Sequence, residues 1–163
     1  MQKQEKHREG PAPWTSKFCD NQRLARFHCL LDSSACILGS VSLTGGIGDV
    51  GSESLVIALS NHKTLKHVDI GKCSDIATNG WRGLSASLSA PDSALEGLEI
   101  DGCEINDDGV ALIFAALCEN MSLRKLNLAR NFDITSEGWE KCFRLALVSE
   151  FNLETISQRQ FNR

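Results

Sequence analysis

The segment Leu95–Leu117, LEGLEIDGCEINDDGVALIFAAL, contains two kinds of hydrophobic periodicity, one after the other. Its first part alternates apolar and polar residues as a short strand does, and its second part spaces apolar residues along one face of a helix. Between them, Asn106 is a helix-capping residue, and Asp107 and Asp108 place negative charge in the first helical turn, where it is favoured. The segment is therefore predicted to form one strand–turn–helix unit, which needs a copy on each side to bury its apolar residues.

Further copies of the unit lie on both sides of this segment. A glycine at the start of each helix recurs at a constant interval, at Gly51, Gly80, Gly109 and Gly138. Units begin at Leu38, Leu65, Leu95, Leu123 and Leu153, so that shorter and longer units alternate, and both longer units carry a Gly-Trp pair. We predict helices near residues 50–60, 78–89, 107–119 and 136–148, and parallel strands near residues 39–44, 66–71, 96–101, 124–129 and 154–157. The fifth unit is partial, because Gln158 stands where its next aliphatic residue belongs.

The repeated pattern L-x-x-L-x-L-x-x-N/C-x-L covers about residues 37–157 and resembles leucine-rich repeats of the ribonuclease-inhibitor type. The hexapeptide Ile134–Trp139, ITSEGW, is similar to the repeat arrays of algal and other protist proteins. The resemblance implies an α/β leucine-rich-repeat solenoid, a horseshoe arc with a concave parallel sheet, convex helices, and about four repeats plus a partial fifth. It also implies a role in binding other proteins. Gly46, in place of the usual Asn or Cys, departs from the pattern.

Three segments are predicted along the chain. Residues 1–16 form a disordered tail, because they lack apolar periodicity and contain a Gly-Pro-Ala-Pro run. Residues 17–36 form an N-terminal capping helix, in which Leu24, Phe27 and Leu31 recur at helical spacing. This helix is expected to cover the first unit, because the end repeats of a solenoid otherwise expose their apolar faces. Residues 37–163 form the leucine-rich-repeat domain.

The distribution of charge argues against a nucleic-acid partner. The net charge is −4, and the segment 1–30 carries +3, so the remainder carries −7 and lacks a basic stripe. No apolar run is long enough for a membrane span, so no membrane partner is expected. The N terminus has no secretory signal pattern. The seven cysteines are therefore interpreted as reduced thiols of a cytoplasmic protein.

One glycine motif offers an alternative function. Gly46-x-Gly48-x-x-Gly51 matches the dinucleotide fingerprint, and Asp69 follows it at the end of the next predicted strand. We favour the repeat interpretation, because a Rossmann sheet needs strands that are apolar on both faces, and these strands alternate. The alternatives that stay open are a nucleotide-binding domain of the NAD type and, by family analogy alone, a regulator of small GTPases.

The remaining reactive side chains do not form a recognisable catalytic or metal-binding motif. Four residues near the N terminus are spaced unlike zinc ligands, at Cys19, His28, Cys29 and Cys36. His62 and His67 have no nucleophile at motif spacing, and Trp81 and Trp139 are expected to pack in or beside the core. Cys73 and Cys103 should be neighbours that bond weakly to the loop backbone. We therefore predict no enzyme activity, no catalytic residue, no cofactor and no metal.

Function is expected on the polar side of the sheet. Residues between the buried strand aliphatics should face the concave side, and the predicted partner-binding residues there are His67, Asp69, Glu99, Asp101, Lys125 and Asn127. An acidic patch of Asp69, Glu99 and Asp101 is expected to contact a basic segment of a protein partner, although a solvated face without a partner remains the alternative. The favoured function is a non-catalytic protein–protein interaction module.

The C-terminal end of the array is a second predicted surface. Without a fifth helix, the face built by Trp139, Phe143 and Leu147 lacks a covering unit. Either Phe151, Phe161 and the tail fold over this face, or it remains an apolar surface that favours self-association.

Overall fold

A computed structural model describes residues 14–15, 39–45, 47–61, 63–149 and 153–157. Six parallel strands pair in chain order: β1 Trp14–Thr15, β2 Ser40–Ser42, β3 His67–Asp69, β4 Gly97–Glu99, β5 Lys125–Asn127 and β6 Thr155–Ser157. Four helices connect β2 to β6: α1 Asp49–Asn61, α2 Thr78–Leu88, α3 Asp107–Leu117 and α4 Ser136–Val148. Successive helices pack against each other. The α/β repeat architecture is confirmed, and one unit is one strand with the helix that follows it.

The strands are in the register that the repeat spacing predicts. Ser40 pairs with His67, His67 with Gly97, and Gly97 with Lys125. Two residues further along each strand, Asp69 pairs with Glu99 in the same way. The strands are shorter than predicted, yet backbone hydrogen bonds between neighbouring units continue on both sides of them. Each unit therefore adds one short strand, here also called a rung, to the sheet.

The start of α3 has the side-chain cap predicted at Asn106, and α4 has one at Thr135, whereas Ala77 before α2 provides none. Asn106 Oδ1 accepts a hydrogen bond from the Gly109 N–H at 3.0 Å, and Thr135 Oγ1 accepts one from the Gly138 N–H at 3.2 Å. Asp107 and Asp108 lie in the first turn of α3. The Asn106 and Thr135 side chains satisfy backbone N–H donors that a helix start otherwise leaves unpaired.

The core lies between the sheet and the helices. Its central row is the middle residue of each strand, and Val41, Val68, Leu98 and Leu126 are all at most 2% exposed. Trp81 is 3% exposed, so its predicted core role is confirmed. Full burial of one of the aliphatic side chains contributes about 1.5–3 kcal/mol.

Buried polar side chains join the turns of neighbouring units. The Asn131 amide accepts from the Cys103 N–H at 2.8 Å and donates to Ile100 O at 2.8 Å. The Cys73 thiol contacts Leu43 O at 3.5 Å and the Cys103 thiol contacts Ile70 O at 3.2 Å, as predicted for weak bonding to the loop backbone. Burial raises the pKa of Cys103 to about 12, so this thiol stays protonated.

The turn after each strand uses a left-handed backbone. The residue two positions beyond the last strand aliphatic has φ of 79° at Gly45 and 61° at Lys72, Gly102 and Arg130. Glycine adopts this conformation without strain, whereas Lys72 and Arg130 do so at a cost. The chain therefore reverses at the same point in four successive units.

The repeated glycine keeps helix starts close to the preceding unit. A Cβ added to Gly109 would lie 2.6 Å from Ile105 Cγ1 and 3.2 Å from Trp81 Cδ1. A Cβ added to Gly138 would overlap the Asp107 carboxylate. Close helix packing thus explains the glycine at these two positions.

The N-terminal region differs from the prediction at two residues. Trp14 and Thr15, assigned to the tail of residues 1–16, form β1 and pair in parallel with Val41 and Ser42. The predicted capping helix of residues 17–36 lies outside the described residues. In the described ranges, no helix combines the length and apolar character that crossing a bilayer would require.

Candidate interaction surface

The face of the sheet opposite the buried strand residues, here called the open face, carries two columns of side chains. The first column contains His67, Gly97 and Lys125, and the second contains Asp69, Glu99 and Asn127. His67, Lys125 and Glu99 are exposed. The structure therefore brings five of the six predicted partner-binding residues onto adjacent rungs, where strands lie about 4.8 Å apart.

The two acidic side chains of the second column already have hydrogen-bond partners. Asp69 Oδ2 accepts from the Ser42 hydroxyl at 2.8 Å, and its Oδ1 accepts from the Gly71 N–H at 2.9 Å. Glu99 Oε2 accepts from Asn127 Nδ2 at 3.1 Å. These bonds hold the carboxylates in place, and Glu99 still has acceptor sites for a partner.

Asp101 does not belong to the exposed acidic patch that the sequence suggested. It is 8% exposed and forms an ion pair with Arg130. Its Oδ1 lies 2.6 Å from the position that a Cβ on Gly71 would occupy, so it fills the space above that glycine. Asp101 is thus a buried side chain that packs between neighbouring strands. Of the three predicted acidic residues, only Asp69 and Glu99 remain on the open face.

The first column is basic. The His67 imidazole lies over Gly97, at the place that a side chain on residue 97 would occupy. Lys125 follows Gly97 on the next rung and is exposed. The positive charge of Lys125 therefore lies beside the acidic second column, and the open face carries both signs of charge rather than being acidic throughout.

A charged row that the sequence analysis missed directly precedes the strands. Lys66, Glu96, Arg124 and Glu154, here called the strand-start ladder, are joined through successive backbone N–H···O bonds of 2.8 Å. Lys66 Nζ lies 2.8 Å from Glu96 Oε1, and this hydrogen bond and its charge lower the pKa of Glu96. The charge alternates in sign from unit to unit. The ladder borders a shallow depression lined by His67, Glu96, Ser122, Arg124, Lys125 and Glu154.

The topology does not provide a dinucleotide site at the glycine motif. The described strands follow chain order, so the sheet lacks the reversal of order that opens the nucleotide crevice of a Rossmann fold. Asp69, the candidate ribose-binding residue, instead accepts the Ser42 hydroxyl. Gly46 lies outside the described residues.

Several other candidate residues also fall outside the described ranges. They are Cys19, His28, Cys29, Cys36, His62, Phe151 and Phe161. Within those ranges, no three His, Cys, Asp or Glu side chains are grouped as metal ligands would be.

The C-terminal face carries exposed apolar side chains among the described residues, and the tail residues predicted as its alternative cover lie outside those ranges. Phe143 is 38% exposed and Leu147 is 86% exposed. Trp139 is half-buried and stacks on Phe143 with ring centroids 5.8 Å apart. The last described helix therefore presents an aromatic and aliphatic surface.

No known family profile matches the chain. Among curated proteins, the chain is similar to mouse NACHT, LRR and PYD domains-containing protein 14, with 33% identity over 103 residues, 63% of this chain. It is also similar to human NACHT, LRR and PYD domains-containing protein 13, with 27% identity over 127 residues, 78% of this chain. The chain spans 10% of the length of each of these relatives.

Two solved structures share the fold. Leiomodin-1 actin-binding site 2 matches with a TM-score of 0.71 at 16% identity, over 86% of this chain and 79% of that one. The tropomodulin C-terminal domain of Caenorhabditis elegans matches with a TM-score of 0.68 at 13% identity, over 88% of this chain and 85% of that one. At these identities the likenesses show the fold alone, and this fold is consistent with a leucine-rich-repeat solenoid.

Proposed function

We propose that this chain is a non-catalytic protein-interaction module that binds its partner on the open face. The observation that carries the proposal is the strand register, which aligns exposed polar side chains from successive units in two columns. Such an array presents fixed groups on rigid strands, so little side-chain and backbone freedom is lost on binding. The full α-helix that follows each of β2 to β5 also favours the ribonuclease-inhibitor type of repeat.

The charge pattern defines the kind of partner segment. Lys125 favours an acidic group near the strand starts, and Glu99 and Asp69 favour basic groups along the strand ends. A partner segment with one acidic and one basic edge therefore fits the open face better than a purely basic segment does. Opposed charges of this kind raise the association rate and the specificity more than the affinity.

Two further observations support this use of the fold. One of the similar structures is described as an actin-binding site, which is a protein-binding role in that protein. The thiols of Cys73, Cys103, Cys118 and Cys142 are free, which fits the reducing cytoplasm where we place the interaction.

The proposal is tested by exchanging charges on the open face. The variant Glu99→Lys with Lys125→Glu keeps the net charge and inverts the two columns. We expect it to lose the proteins that co-purify with the tagged native chain in quantitative mass spectrometry. Purified actin provides a defined first probe in a co-sedimentation assay.

The control variant carries the same charge changes away from the open face. Glu119→Lys with Arg82→Glu alters two exposed residues of the helical layer and should retain every partner. If the open-face variant retains the same partners as the control, the open face is not the binding surface.

A further inference from the structure

The C-terminal end repeats a surface that is covered inside the array. Residues of α4 and β6 correspond to residues of α2 and β4 at one constant offset, so that Trp139 matches Trp81 and Glu154 matches Glu96. Inside the array this surface is covered by the segment 106–129, which contains α3 and β5. We call the interior copy the covered seat and the C-terminal copy the open seat.

The two seats differ mainly in what lies against them. Trp81 is 3% exposed, whereas Trp139 is half-buried. Leu98 in the middle of β4 is 1% exposed, whereas its counterpart Ile156 in β6 is partly exposed. β6 is the last strand of the described sheet, and among the described residues no strand pairs with its outer edge, where an added strand could form hydrogen bonds.

The contacts of the covered seat show what an occupant must provide. Gly109 at the start of α3 lies against Trp81, and the Asn120 amide donates to Leu88 O at 2.6 Å. After these, β5 pairs with β4 and places Arg124 next to Glu96. The occupant is a helix with a glycine in its first turn, followed by a strand with a basic residue directly before it.

The strand-start ladder selects a basic residue at that position. Its charges alternate from Lys66 through Glu96 and Arg124 to Glu154, and this last member is exposed and directly precedes the last described strand. The next rung therefore favours Lys or Arg over Glu. A second copy of this chain stacked head to tail does not satisfy this requirement, because Pro13, which directly precedes β1, carries no charge.

We propose that the open seat binds a partner segment of leucine-rich type, in which a helix with a glycine in its first turn packs on Trp139 and Phe143 and a strand preceded by Lys or Arg extends the sheet at β6. This interaction is separate from binding at the open face. The partner is recognised by apolar burial, by strand addition and by the charge opposite Glu154.

The test uses the full chain and a synthetic peptide with the sequence of residues 106–129. Binding is followed by NMR of the isotope-labelled chain under reducing conditions. We expect saturable shifts at the Ile156 amide and the Trp139 indole. A peptide with Arg124→Glu should bind about two- to fivefold more weakly, as expected for loss of a surface ion pair. Against the Glu154→Lys chain, the order of the two peptides should invert.

Two further variants of the full chain locate the site. Leu147→Glu, at a residue that is 86% exposed, and Phe143→Glu should both abolish binding. Ile57→Glu on α1, at a residue that is 46% exposed, is the matched control and should leave binding unchanged. Thermal melts establish that each variant is folded.

Three results would overturn the proposal. They are the absence of saturable binding, equal affinity for the native peptide and the Arg124→Glu peptide, and unchanged binding by the folded Leu147→Glu chain. Concentration-dependent dimerisation of the chain in light scattering, with Leu147→Glu restoring the monomer, would assign the open seat to a second copy instead.

Discussion

The covered seat and the open seat are built from equivalent residues, yet only one of them is buried. Trp81 on α2 is 3% exposed because α3 lies against it, and Trp139 occupies the same place on α4 without a following helix in the described structure. At the next helical turn, Phe143 is 38% exposed and its interior counterpart Ser85 is 7% exposed. The comparison shows that the neighbour, rather than the unit itself, determines how deeply a repeat is buried.

Truncating the two tryptophans should give the largest difference between the seats. Trp81→Ala should destabilise the chain by about 3–5 kcal/mol, because it leaves a cavity between α2 and α3. Trp139→Ala should cost about 1–2 kcal/mol, because part of this side chain is already in water. Urea denaturation measures both values, and equal losses would contradict the comparison.

The covering segment also contributes a buried amide. Asn120 Nδ2 donates to Leu88 O at 2.6 Å, and its Oδ1 accepts from the Leu123 N–H at 2.7 Å. Asn120→Ala should cost about 1–3 kcal/mol, because both backbone groups lose their partner in a buried place. Asn120→Asp keeps the acceptor for the Leu123 N–H, but it loses the Nδ2 donor to Leu88 O and Ser122 Oγ and buries a carboxylate, so it should cost at least as much. For Asn120→Ala, a loss below about 0.5 kcal/mol, as is usual at an exposed site, would show that water replaces the amide.

The close contact at Gly109 gives an effect of similar size. Gly109→Ala should cost about 1–3 kcal/mol, because the new methyl group lies against Ile105 and Trp81. Gly138→Ala is the matched variant. Its methyl group overlaps the Asp107 carboxylate, which accepts from the Thr135 N–H and hydroxyl, so this change should also destabilise the chain. Melting temperatures measure both effects, and a Gly109→Ala chain as stable as the native chain would contradict the close contact with Ile105 and Trp81.

The smallest expected effect concerns the charge ladder. The hydrogen bond and charge of Lys66 lower the pKa of Glu96 relative to its unfolded value. The ionised form is therefore favoured in the folded chain, and this stabilisation is present above the unfolded pKa and is lost as the pH falls through the folded pKa. Glu96→Gln should flatten the stability profile in acid, whereas Glu104→Gln, at an exposed loop residue, provides the control. An unchanged profile for Glu96→Gln would show that the exposed pair is fully screened by solvent.

Much of the fold follows from spacing in the sequence. The constant glycine period, the alternating strands and the cap at Asn106 predicted the described helices to within two residues at either end, and the strand register was also predicted. These features are local, because the strand and helix periods specify which side chains face the neighbouring unit.

Three features were not predicted from the sequence, because they depend on contacts between units or on a segment too short to show a pattern. Asp101 was predicted on the surface, but Arg130 in the left-handed turn of the next unit pairs with it. The strand β1, Trp14–Thr15, is too short to show any periodicity. Each member of the strand-start ladder directly follows the first leucine of a unit, so its position is visible in the sequence. The alternation of charge between neighbouring strands becomes evident only when the backbone hydrogen bonds align these residues.

Native-state hydrogen exchange on α2 and α4 tests the central claim most directly. The two helices share the Gly-Trp start and the same place in the unit, and in the described structure they differ in having a helix on one side or on both. We expect amides of Thr78–Leu88 to exchange at least about tenfold more slowly than those of Ser136–Val148, after correction for intrinsic rates. Equal protection of the two helices, or stronger protection of α4, would contradict the claim that neighbouring units supply the burial.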